Sequence, residues 1–492
     1  MVLDNFGQPG ELLEDEVHKP RFGLLVRASL AVLLYAGVHA VLAQTVTQPD
    51  IPGLGDDHLS RHGITLYGII DAGIQYDTHA APISDYYQAG SGDIVQKNSN
   101  GSVFGVTPNN VSFSSIGLRG HEPLHFLDWA GVFKLETFFN PQSGELSDAL
   151  KSLTQNNGRP LAAQNTNLDS SIAGQVFQQA FVGLSSATFG TITFGRQNSV
   201  LADEVDRYDP QAASQAFSVV GLSGTSAGGG DTQDRRFDES VKYEVKYADL
   251  LHLALQYKFQ NASSRSYATA GSGEAFNAVE ASVGATYAGV SVDGFYTKVK
   301  DAVAGSALTA DQLTALVGTN YPLNDSLSGA ISDNASYGAM ASYIVGPTTL
   351  YGAYQHITYM NPSIRLAPGF DDIGGYVLAS VDNTAYAKAD KILQVYWAGA
   401  KYVVTEQFYT VIAYYGYKQN AYATGVNLNC STAISAACSG HLDAASIMGD
   451  YHFAKRLDSY GGVMWSNVSH GLANGYLHTT NLNPTIGIRF SF

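Results

Sequence analysis

Apolar and polar residues alternate along much of this chain. In 485–492, Ile486, Ile488, Phe490 and Phe492 share one face, and Thr485, Gly487, Arg489 and Ser491 share the other. In 251–260, Leu251, Leu253, Leu255, Tyr257 and Phe259 oppose His252, Ala254, Gln256, Lys258 and Gln260. In 240–247, Val241, Tyr243, Val245 and Tyr247 oppose Ser240, Lys242, Glu244 and Lys246. A repeat of two marks a strand, because successive side chains point to opposite faces. A helix would place apolar residues three and four positions apart, and these segments lack that spacing.

The same pattern predicts about sixteen strands: 64–76, 110–119, 129–139, 178–186, 189–196, 239–248, 251–260, 277–288, 290–300, 335–345, 348–359, 391–404, 406–418, 442–453, 457–469 and 483–492. The connections between them alternate long and short. Long links are 77–109, 140–177, 197–238, 261–276, 301–334, 360–390, 419–441 and 470–482. Short ones are 120–128, Ala187-Thr188, Asp249-Leu250, Gly289, Gly346-Pro347, Thr405 and Ala454-Lys455-Arg456. A soluble sandwich has no reason to collect all its long loops at one end, whereas a membrane barrel threaded from one side does. The long links are rich in Gly, Ser, Asn and Asp, as in Ser223-Gly224-Thr225-Ser226, a composition that builds no core.

Composition sharpens this picture. The 492 residues include 51 Gly, 30 Tyr and 22 Phe, but only 14% are charged, against about 25% in an ordinary soluble domain. The formal net charge of −16 argues against nucleic acid as a partner, since phosphate binding needs a basic footprint. Lys19, Arg21 and Arg27 precede an apolar run from Ala28 to Ala43, and Val41 and Ala43 supply a cleavage site before Gln44. Residues 1–43 therefore read as a signal peptide, 44–62 as a short leader and 63–492 as the barrel. The acidic stretch Glu11 to Glu16 is odd ahead of a signal, so translation is expected to start downstream of Met1; N-terminal mapping of the precursor tests this. Without residues 1–43 the chain keeps 24 basic and 38 acidic residues, a formal −14. Beyond the signal there is no apolar run of about 18 residues, which excludes a helical membrane protein but not a barrel, whose strands need only about 10 residues.

In hydrocarbon every backbone N–H and C=O must be paired, so only helices and closed barrels span a membrane. A barrel of sixteen strands is too wide to fill with side chains and holds water. Inward-facing Lys242, Glu244, Lys246, Gln256 and Lys258 fit a wet interior, where a lysine turned to lipid would cost about 2–4 kcal/mol. Asp71 joins Lys242 and Glu244 as a further pore-lining position. Tyr76, Phe139, Phe194, Tyr402 and Phe492 suit aromatic girdles at the two interfaces. A soluble β core is the competing reading of the aromatics.

Several segments resemble the proteobacterial general diffusion porins, trimeric sixteen-stranded antiparallel outer-membrane barrels. Leu66-Tyr67-Gly68-Ile69-Ile70-Asp71-Ala72-Gly73 is similar to that family's first strand, and Ser115-Ile116-Gly117-Leu118-Arg119-Gly120 to its second. Gln179-Ala180-Phe181-Val182-Gly183-Leu184 with Phe194-Gly195-Arg196-Gln197 resembles strands 4 and 5. Ser240-Val241-Lys242-Tyr243 resembles strand 6, and terminal Phe492 the assembly signal. The likeness touches most strands and few loops; the order and spacing of the motifs carry it. It implies a homotrimer set in outer-membrane lipid and lipopolysaccharide, passing small hydrophilic solutes and ions without cofactor or covalent chemistry. It also implies that the third long loop, 197–238, folds into the lumen as a constriction. That loop brings Asp203, Glu204, Asp206 and Asp209; basic Arg119 and Lys134 match positions across from it, with Glu136 nearby and Arg236 a looser match. Opposed acidic and basic walls give a transverse field. Ser115 and Gln178 stand where related porins often have arginine, so a weakly selective or cation-leaning pore is expected. The alternatives are a solute-specific channel of the same fold and a secreted β-rich binding protein or hydrolase.

Other motifs carry less. His121-Glu122-Pro123-Leu124-His125 matches the zinc-protease pattern, but Pro123 disfavours the helix that chemistry requires, and a solvated periplasmic link is preferred. Gly224-Thr225-Ser226-Ala227-Gly228 matches the hydrolase elbow without the strand and helix that flank it. Cys430 and Cys438 lie close together in one long loop of an exported chain and are expected to form a disulfide. His356 and His452 read as pore-lining or interfacial rather than as ligands, no metal site is expected, and no spaced calcium loop appears.

Overall fold

The computed structural model describes residues 59–80, 95, 99–124, 126–142, 144, 177–222, 235–248, 250–259, 277–305, 329–361, 372–373, 376–377, 390–432 and 437–492. The signal segment 1–43, most of the leader, His125 and the elbow motif at 224–228 lie outside them. All described residues belong to the unit Val46–Phe492.

Sixteen antiparallel strands run in sequence order around a closed sheet: β1 (Ile64–Ala80), β2 (in two pieces, Gly101–Pro108 and Ser115–Pro123), β3 (Trp129–Phe138), β4 (Gln179–Ser186), β5 (Gly190–Asn198), β6 (Arg236–Tyr247), β7 (Leu251–Lys258), β8 (Asn277–Tyr287), β9 (Val290–Gly305), β10 (Gly329–Val345), β11 (Thr348–Met360), β12 (Lys391–Thr405), β13 (Phe408–Gln419), β14 (Gly440–Ala454), β15 (Leu457–His470) and β16 (Thr480–Ser491). Each pairs with its neighbours in the chain, and β16 returns to β1 with Ile69 opposite Ser491 and Gln75 opposite Thr485. Gly68 and Phe492 exchange two backbone hydrogen bonds of 2.9 Å at this seam. The Phe492 ring lies where a Cβ on residue 68 would stand, so the closing strand needs glycine there. No helix among the described residues is long and apolar enough to cross a membrane.

The short links gather at one end of the barrel and the long ones at the other. Tyr287 pairs with Val290, so Ala288 and Gly289 alone make the turn, both with positive φ. That is the mirror-image turn whose twist matches paired strands. Gly346 does the same ahead of Pro347, between Val345 and Thr348.

The burial pattern is inside out. Val182, Val283, Ile412, Ile486 and Ile488 are exposed on the outer face, while Gln256, Asn481, Asn483 and Ser466 are buried facing inward. Exposed aromatics fall in two bands: Phe189, Tyr247, Tyr287, Tyr343 and Tyr402 toward the short turns, and Phe104, Tyr296, Tyr337, Tyr354 and Trp465 toward the long loops. Aromatic rings favour the two membrane interfaces in this way.

The structure departs from the sequence expectation in a few places. The second strand does not run unbroken over 110–119. Its first piece lies in what reads as loop, because Gly101, Gly105 and Pro108 mask the outward Phe104 and Val106. Residues 109–114 leave the ladder between the pieces. His121, Glu122 and Pro123 sit at the end of β2 rather than in a link, paired with Val132, Gly131 and Ala130. The loop 197–238 carries two helices, α1 (Val200–Tyr208) and α2 (Val219–Leu222), and 360–390 carries the tiny pair Asp372–Ile373 and Tyr376–Val377.

Candidate pore constriction

Helix α1 forms because Ser199 caps it, its hydroxyl accepting from the Ala202 amide at 3.0 Å, and because Leu201, Val205 and Tyr208 make one apolar stripe. A cap of this kind contributes about 1 kcal/mol. Pro210 follows the C-cap Asp209 and prevents continuation. The stripe turns to the barrel wall, and α1 packs on β7 to β11. Tyr208 donates to Asp293 and lies 2.7 Å from Ser291 Oγ, and the Trp397 indole donates to the Tyr208 carbonyl at 3.0 Å. The helix is a strut held inside the barrel.

The acidic residues of this loop meet partners on the wall. Asp203 pairs with Lys242 and accepts from Asn198 at 3.0 Å; Lys242 holds its carboxyl below the usual range against the opposing effect of burial. Asp206 pairs with Arg235. Glu204 turns away from the passage and is buried; it accepts from Ser282 at 2.8 Å and lies 3.5 Å from Arg207. Burial pushes its carboxyl up to about 7. Arg207 also lies 3.6 Å from Asp293, which pairs with His252. Asp209 accepts from Tyr415 at 2.6 Å and from the Ala213 amide at 2.7 Å, and burial raises its carboxyl.

The basic positions lie on β2 to β6. Arg119 and Lys134 are cross-strand neighbours, both inward, and each stands 5.7 Å from the Tyr67 ring. Tyr67 lies flat against Gly117 and donates to Glu136 at 2.8 Å, while Lys134 sits 3.3 Å from the same carboxylate. Arg236 is buried over the Phe138 ring at 4.9 Å. Glu244, half exposed, stands 3.6 Å from Lys242. Arg196, which pairs with Asp238, extends this cluster.

Asp71 faces inward but is fully buried, so it does not meet solvent as a pore-lining group should. Its Oδ2 accepts the Val111 and Ser112 amides at 2.8 Å, and Tyr460 donates to Oδ1. It therefore pins the 109–114 break of β2 inside the barrel, where the Ala216 amide of the constriction loop donates to the Asn110 carbonyl at 2.8 Å. Cys430 and Cys438 are joined by a disulfide, with Cα atoms 4.9 Å apart.

Sequence reading gave no role to Arg207, Arg235, His252, Asp293 or Glu280, which accepts from the Leu201 amide at 3.2 Å. Alternation already sets His252 on the polar face of 251–260, and the same parity sets Asp293 inward. Sequence reading also missed that the long-loop half of the inner face of β11 to β15 is dry. Ile357, Leu393, Val395, Trp397, Tyr415, Leu442 and Met464 point inward yet are at most 2% exposed, packed with Leu201, Val205, Val219 and Val220 of the constriction loop.

A family model described as Gram-negative porin matches residues 28–471. An outer membrane porin protein of Bordetella pertussis is 28% identical over 196 residues, 40% of this chain and 42% of that protein, so the match spans less than half of that relative's length. Among solved structures, the anion-selective porin from Comamonas acidovorans superposes with a TM-score of 0.55 at 17% identity, covering 87% of this chain and 99% of that one. The trimer form of OmpT, an outer membrane protein of Vibrio cholerae, gives 0.50 at 13% identity over 87% and 99%. At these identities the structures share the fold.

Proposed function

The chain belongs to the Gram-negative porin family and is a multi-pass outer-membrane β-barrel; from that premise we propose that it is a passive, water-filled channel for small hydrophilic solutes and ions, assembled as a homotrimer. One observation carries the reading: an apolar outer face encloses a charged inner wall on β1 to β8, narrowed by a helix that docks on β7 to β11. The passage then runs between α1 and the side bearing Arg119 and Lys134. Permeation needs no covalent step: ions and polar solutes exchange part of their hydration for the lining side chains.

Weak selectivity follows from the pairing. Asp203 and Asp206 are offset by Lys242 and Arg235, and Lys134 by Glu136, so little net field remains across the gap. The balance leans to cations as Glu204 ionises. Single-channel recording in planar bilayers, with a salt gradient, tests this. Discrete ohmic steps with a small reversal potential toward cations are expected; electrical silence would overturn the channel, and clear anion selectivity would overturn the balance of charges.

A further inference from the structure

Near the short-turn end of the barrel, a cluster on β14 and β15 takes no part in the constriction. Asp450, His452 and Asp458 all face the lumen, and His452 is directly opposite Asp458 beside a register shift in the ladder. Both carboxylates are 1% exposed, while His452 keeps an edge open to the passage. One potential ligand atom from each lies within 4.8 Å of the others. His452 Nε2 is 3.8 Å from Asp450 Oδ1, and Nδ1 is 4.0 Å from Asp458 Oδ2.

Hydrogen bonding leaves one atom over. Asp450 Oδ2 accepts from Tyr409 at 2.9 Å and from Arg489 at 3.2 Å, and Arg489 Nε bridges both oxygens of Asp458 at 3.1 and 3.2 Å. Asp450 Oδ1 is buried and has no hydrogen-bond partner. An unpaired buried carboxylate oxygen is costly, and a cation on its open side would relieve that cost.

We propose that Asp450, His452 and Asp458 bind a divalent transition-metal ion at the inner wall, with Arg489 and Tyr409 orienting the two carboxylates. Imidazole with two carboxylates suits zinc and its neighbours, whereas calcium and magnesium take oxygen ligands alone. Metal–ligand distances of about 2.0–2.2 Å require the three groups to close slightly, a shift that falls on His452, the least buried of the three. Arg489 offsets one of the two carboxylate charges, which makes the site moderate in affinity and leaves room for water in the remaining positions. A bound ion would add positive charge to the mouth of the lumen.

The test is equilibrium dialysis of the refolded full chain in detergent against Zn²⁺, which does not depend on conduction. Wild type should bind one more equivalent than His452→Ala or Asp450→Asn, with at least tenfold weaker binding in either variant, and excess Ca²⁺ should not compete. Zn²⁺, and not Ca²⁺, should also raise the thermal midpoint of the wild-type barrel, a readout that stands if a variant fails to fold. Equal zinc uptake by wild type and folded variants, displacement by Ca²⁺, or an unmoved wild-type midpoint would overturn the proposal.

Discussion

The inner face of β1 to β8 and the long-loop half of the inner face of β11 to β15 are built by the same alternation and end up in opposite environments. On the first, Arg119, Lys134 and Glu244 keep contact with solvent, as do Asp203, Asp206 and Arg207 on α1. On the second, Trp397, Tyr415, Leu442 and Met464 are sealed beneath the constriction loop. The difference teaches that facing the lumen and being wet are separate properties. Strand parity decides the first, and what the loop covers decides the second. An apolar inner wall gives α1 and α2 a surface to bury against, so the loop is held to one side and the charged wall is left open.

The largest test of this contrast removes the dry side's main anchor. Trp397→Ala deletes a buried indole and its bond to the Tyr208 carbonyl. It should destabilise the refolded barrel by about 3–5 kcal/mol in urea unfolding and raise conductance as α1 loosens. An unchanged midpoint would show that this wall does not hold the helix.

Next comes acidity. Glu204 moves from an ordinary value of 4.5 up to about 7 because it is buried, beside Arg207, Asp293, Asp203 and Ser282. A raised carboxyl favours the fold while neutral, so this contribution is fully present below pH 4.5 and is lost as pH rises through about 7. The full span is on the order of 3 kcal/mol. Stability should therefore fall between about pH 4.5 and 7, cation preference should rise as Glu204 ionises around pH 7, and Glu204→Gln should flatten both profiles.

On the wet side, Tyr67→Phe removes the donor to Glu136 and should cost about 1 kcal/mol by thermal unfolding while leaving the reversal potential unmoved. A large shift in selectivity would give Tyr67 a direct part in ion passage. The smallest effect belongs to Lys242→Ala, which exposes the charge of Asp203. At roughly 8 Å in water one charge is worth about 0.5 kcal/mol, or about a twofold rise in the cation-to-anion permeability ratio. A shift toward anions would contradict the pairing.

Much of the architecture was legible in the alternation. Strands such as 251–260 and 483–492 carry an apolar outward row that lipid demands, and the long and short links fixed which end is which. The parts that escaped have local causes. Residues 101–108 hide their outward Phe104 and Val106 among glycines. The 109–114 break depends on Asp71 reaching amides forty residues away, which no window of sequence displays. Helix α1 was signalled by Ser199, the stripe Leu201, Val205 and Tyr208, and Pro210, but it was hidden within a loop read as irregular. The acids Asp203, Glu204 and Asp206 do lie on the loop inside the barrel, yet their charges are partly spent on Lys242, Arg235 and Arg207. Partners of this kind depend on strand register around the closed sheet.

The most direct measurement is thiol accessibility in the conducting state. The chain's two cysteines are joined to each other, so an introduced one reports alone. A charged thiosulfonate reagent added to single channels should reduce the current through Arg119→Cys and leave Met464→Cys untouched. Equal modification at both positions, or block only at Met464→Cys, would contradict a passage that follows the charged wall.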